Sequence, residues 1–212
     1  MKYKTYIWRP FDKDSYRYEW RRASILGILR EFKRDMKQCW QRAFRGYCEY
    51  DLFSIFDWFL GIMPAMLQNF KDTMHGYPEV NEFESHRLLQ EGEESENKKA
   101  WDEILDRMIF LLREADEETC TRKNPYEEEY GRARDEFEAK YGSWGEKLKT
   151  AEDIQEEKKT NTIRMFFPHD VPEYKPISDK YYEEEKNLRE YRFACKDEAL
   201  ALFSKWFFHL WD

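Results

Sequence analysis

Arg30, Lys33, Arg34 and Lys37 fall at positions 0, 3, 4 and 7 of one segment, a spacing that lines four cations along one stripe of an α-helix. With Arg45 further along and aromatic rings between, such a stripe has the donors to hold phosphate oxygens while bases stack nearby. A nucleotide-type small molecule is therefore one ligand class these residues admit. The same stripe serves as a docking face for acidic groups of its own fold or of an identical subunit. Charge favours docking. Residues 1–46 carry 13 Lys/Arg against 5 Asp/Glu, a net +8, whereas the remaining chain carries 23 against 39, a net −16. An anion on the basic segment would feel that acidic remainder, so nucleic acid is not an expected partner.

Asp57 stands between Phe56 and Trp58 in the most apolar stretch, where an unpaired carboxylate is costly. It reads as a structural ion pair or hydrogen bond rather than a ligand contact. His75, His86, His169 and His209 are preceded three positions earlier by Asp72, Phe83, Phe166 and Trp206, so the Glu-x-x-His pairs of a di-iron bundle fail. Cys39, Cys48, Cys120 and Cys195 include no C-x-x-C pair and read as reduced thiols. The sequence has no glycine-rich phosphate loop and no Gly-x-Ser-x-Gly elbow. No catalytic residue, metal or cofactor is expected, and the chain reads as non-enzymatic.

The elements that must position these residues are helices. The 212 residues include 18% aromatics, enough to build a core despite 38% charged residues and a mean hydropathy of −0.98. Eight glycines and abundant Glu and Lys argue against an all-β domain. A first long helix is predicted from near Asp14 or Ser15 to Gly46, with Leu29, Phe32, Met36 and Trp40 on its apolar face. A second, from about Glu49 to Thr73, is apolar nearly all round and reads as central and buried, with a kink near Gly61–Pro64. The third runs from about Asn97 to Glu118 and the last from about Ser178 to Leu210. Trp101, Phe59 and Trp206 lie centrally on their apolar faces and are expected to share one core.

These faces need one another. The expected fold is all-α: a bundle of four long helices plus shorter charged helices, with little or no sheet, forming one domain over 1–212. Residues 1–12 form an N-terminal arm carrying Tyr3, Tyr6 and Trp8, residues 79–97 an acidic loop, and residues 119–177 a charged, partly irregular insertion. The stretch Leu52 to Leu67 is too short and too interrupted to span a bilayer, so no membrane partner is expected. Met1 to Pro10 lacks the apolar core of a signal peptide, which points to the cytoplasm.

Several short stretches together resemble a family of small uncharacterised proteins of tailed bacteriophages and prophages. They are Arg45-Gly46-Tyr47 followed by Asp51-Leu52 and Asp57, then Gly76-Tyr77-Pro78, and Trp101-Asp102-Glu103-Ile104-Leu105 with Met108-Ile109-Phe110. The last runs from Ala199-Leu200 through Phe203 and Phe207 to Leu210-Trp211-Asp212. In that family a Ser or Asp usually caps the second helix where Cys48 stands here. The resemblance covers about half the chain and implies a phage protein working in a bacterial host's cytoplasm. It carries over no catalytic residue. The expected function is that of an accessory protein binding a host protein or an identical subunit.

Overall fold

A computed structural model describes residues 25–80 and 94–211. The N-terminal arm, the predicted start of the first helix and most of the acidic loop lie outside the described residues. The helices are α1 (Ile25–Arg45), α2 (Ile55–Thr73), α3 (Glu94–Ala115), α4 (Glu127–Tyr141), α5 (Ala151–Thr160) and α6 (Lys175–Trp206). Short 3₁₀ turns occupy Asp51–Phe53, Ser143–Leu148, Pro168–Asp170 and Phe207–His209. No strand occurs among the described residues, and the fold is all-α.

The chain divides into two compact units, one within Met1–Cys120 and Ala194–Asp212, the other Thr121–Phe193. In the first unit, α2 packs along α3. The apolar stripe of α3 supplies Trp101, Leu105, Met108, Leu111 and Leu112, all fully buried. Trp206 of α6 meets Trp101 edge to face, with ring centroids 5.4 Å apart. Phe59, expected beside them, is half-buried and meets Phe203 instead, at 6.1 Å. Ion pairs rim this core: Arg107 holds Glu198 through two bonds of 2.8 Å, and Lys71 reaches Asp106 at 2.6 Å. Asn97, buried at the start of α3, receives the Val80 N–H at 2.7 Å and donates to the Pro78 carbonyl at 2.9 Å.

The second helix departs from expectation. Ser54 adopts extended backbone (φ −147°, ψ 91°) and splits the predicted element into the 51–53 turn and α2. The turn follows Asp51, whose carboxylate accepts the Cys48 N–H at 2.8 Å and is gripped by Arg42 of α1. Leu52, Phe53, Ile55 and Phe56 are thereby left exposed, and only Pro64 and Leu67 of α2 are fully buried. The helix is peripheral along much of its length, not central. Asp57 consequently sits in the first turn of α2, where a carboxylate faces the positive end of the helix dipole.

In the second unit, Phe137 and Ala133 of α4 pack with Tyr174, surrounded by Tyr141, Leu148 and Phe166. Trp144 and Gly145 both take left-handed backbone (φ 61° and 65°), which turns the chain so that the Trp144 carbonyl accepts the Phe166 N–H at 3.0 Å. Thr150 and Asp153 cap α5 reciprocally, each side chain accepting the other's backbone N–H. Tyr130 stacks on Tyr181 at 4.2 Å and shares a 2.9 Å hydroxyl–hydroxyl bond with Tyr182. Burial pushes the Tyr181 hydroxyl up to about 12.

Candidate functional site

Helix α1 is amphipathic, and by default such a helix seats its apolar stripe against the core. Here it is turned the other way. Asp35 and Gln41 are each 3% exposed and Gln38 is buried beside them. Phe32 (51%), Met36 (50%), Trp40 (57%) and Phe44 (73%) face outward with Leu29. At 100° per residue, these five side chains fall on one arc and the buried polar three on the opposite one. The Trp40 and Phe44 rings lie 4.8 Å apart at the outer surface. The predicted apolar face of the first helix therefore does not pack into the bundle.

The inward seating is fixed by the segment that follows Gly46. Gln41 accepts the Glu49 N–H at 3.0 Å and donates to its carboxylate at 2.9 Å, while Lys37 donates to both Glu49 oxygens at 2.8 and 3.0 Å. Arg42 binds Asp51 through both arms of its guanidinium, from Nε to Oδ2 at 3.0 Å and from Nη2 to Oδ1. These bonds close the polar face of α1 onto residues 48–51, which fixes the opposite face outward. Cys48 offers no capping side chain; its own N–H is held by Asp51, and α2 begins further on, after Ser54, whose side chain makes no capping bond.

Burial alone would raise the Asp51 carboxyl, but the hydrogen bonds from Arg42 and Cys48 outweigh it and hold the group below its ordinary range. A depressed carboxyl contributes stability that is present above its unfolded value and lost as pH falls through the folded one. Stability should therefore drop as pH falls below about 4, and Asp51→Asn should flatten that part of the curve. Chemical denaturation between about pH 2 and 7 checks this. An identical pH profile for the variant would show that Asp51 contributes none of the acid sensitivity.

The five predicted cations do not converge. Arg30 is exposed at the edge of the outward face and Lys33 is exposed within its arc, between Trp40 and Phe44; neither makes an ion pair with any described residue. Lys37 is committed to Glu49. Arg34 is half-buried at the inner edge, with Asp35 at 3.9 Å. Arg45 is exposed in the last turn, where a cation complements the helix C-terminus. From Arg30 to Arg45 the helix rises about 22 Å at 1.5 Å per residue, too far for one phosphate group to reach both. What the residues do build is an apolar stripe with cations toward one side. Among the described residues, no group of three His, Cys, Asp or Glu side chains could hold a metal ion, and no helix is long and apolar enough to cross a membrane.

No protein-family model, curated protein or solved structure matches the chain.

Proposed function

We propose that this chain is a non-enzymatic binding protein whose working surface is the outward face of α1, and that it serves a bacteriophage in the host cytoplasm by engaging a host protein or an identical subunit. The observation that carries this reading is the seating of α1, with polar residues inward and Leu29, Phe32, Met36, Trp40 and Phe44 outward. Contiguous apolar patches of this kind are uncommon on monomers unless they bind something. Arg30 and Lys33 add orientation and speed to encounter rather than a ligand pocket.

The competing reading, a nucleotide-signal binder, needs the cations to act together. A quadruple change of Arg30, Lys33, Arg34 and Lys37 to Gln separates the two. The Lys37–Glu49 pair is exposed on both sides and screened by solvent, so only a small loss of stability is expected. Calorimetric titration of the unmodified protein with cyclic dinucleotides should show no binding. Micromolar binding that disappears in the quadruple variant would overturn the reading. Phe32→Ser with Trp40→Ser, in contrast, should abolish partner capture while leaving the helical circular dichroism unchanged.

A further inference from the structure

We infer that the occupant of the α1 face is a second copy of the same face, packed antiparallel about a twofold axis at Met36; this rests on the binding role just proposed. The outward stripe is nearly symmetric about that residue. Phe32 and Trp40 stand four positions to either side, and Leu29 and Phe44 stand seven and eight positions away. An antiparallel twofold contact brings Met36 onto itself, Phe32 onto Trp40, and Leu29 onto Ala43 and Phe44, apolar on apolar, with Lys33 set against Cys39 between them. A twofold interface requires such a self-complementary patch. The antiparallel sense also sets opposite helix dipole ends together, which a parallel pair would not.

Area agrees with this occupant. A whole aromatic side chain offers about 150–250 Å², so the three half-exposed rings with Leu29 and Met36 present roughly 500 Å² per copy. Two copies give roughly 1,000 Å², the threshold for a specific interface, and residues outside the stripe add to it. Charge sets the sign of the test. The twofold brings Arg30 and Lys33 of both copies to the same side, whereas Lys37 is neutralised by Glu49. The screening length is about 8 Å at 0.15 M and shortens as salt is added, so added salt weakens that repulsion and should tighten this contact. Salt would loosen a contact with an acidic protein or an anionic lipid surface.

Sedimentation equilibrium from low salt to about 0.5 M NaCl tests the inference. The expected mass is that of two chains, with the dimer strengthened by salt and weakened more than about tenfold by Met36→Glu. In a Cys39→Ser background, where the other native thiols are buried, Met36→Cys should form an intermolecular disulfide. Phe32→Cys should cross-link to Trp40→Cys but not to itself. A single-chain mass at about 100 μM in high salt overturns the inference, as does a dimer indifferent to Met36→Glu. If the protein is monomeric yet Met36→Glu still loses a host partner, the binding role stands without the dimer. If Met36→Glu loses nothing, both fall.

Discussion

Trp101→Ala or Trp206→Ala should each lower stability by roughly 3–5 kcal/mol, the range for deleting a large buried aromatic. Both rings are inaccessible to solvent, at 0% and 2% exposure, and they meet edge to face at 5.4 Å. That geometry contributes about 0.5–1.5 kcal/mol beyond the area buried. Leu105, Met108 and Leu112 share the apolar stripe of α3, so a missing indole leaves a cavity that one rigid helix cannot close. The buried Trp101 indole N–H has no hydrogen-bond partner among the described residues. Trp101→Phe keeps a ring and removes that stranded donor, so it should lose far less than the alanine change. Guanidinium titration of the three variants gives the comparison. A loss below about 1 kcal/mol for either alanine variant would show that the tryptophan pair is not a core.

In the second unit, the largest effect is expected at Gly145. A Cβ there would stand 2.6 Å from the Phe166 Cβ and 3.1 Å from the Phe137 ring, at a φ of +65°. Left-handed backbone costs an ordinary residue about 1–2 kcal/mol. Overpacking costs about 1–3 kcal/mol more, and the neighbour that must move is the first carbon of a side chain, not its flexible end. Gly145→Ala should therefore destabilise by roughly 2–5 kcal/mol. Gly131 inside α4 is the matched control, because a Cβ there meets nothing within 4 Å. Gly131→Ala should gain about 0.5–1 kcal/mol through helix propensity. Thermal melts with equal midpoints for the two variants would contradict the packing of the 143–148 turn.

Period and volume, both local properties, made much of the fold legible. The 3.6-residue recurrence of α3 and α6 places Trp101 and Trp206 on apolar faces, and two large rings on facing stripes meet. The short charged helices and irregular stretches of the 119–177 insertion follow from proline, glycine and charge density. Two features stayed hidden because their causes are distant in sequence. The same periodicity that defines two faces of α1 is silent on which face turns inward. That choice is made by Glu49 and Asp51, which bind Lys37, Gln41 and Arg42 from 8 to 12 residues away. The polar spacing of Asp35, Gln38 and Gln41, followed by a glycine and two acids, is the signal that pointed to it. The break at Ser54 was masked for the same reason. Leu52 to Phe56 read as a continuation of the α2 face until Asp51 is anchored to α1. The basic stripe was legible as a spacing, but not that Glu49 would pair with Lys37 or that Arg34 would be half-buried, because both depend on how α1 is seated.

Hydroxyl-radical footprinting of α1 tests most directly whether its apolar side faces out. Met36 and Trp40 are both readily oxidised, and methionine converts to its sulfoxide wherever solvent reaches it. In dilute protein, oxidation at Phe32, Met36 and Trp40 should be fast, and it should fall as concentration or a bound partner covers the face. Leu105 and Met108 in α3 should remain protected throughout. Protection of Met36 and Trp40 at every dilution, with α1 still helical, would mean that the chain buries its own stripe, and the binding surface would not exist.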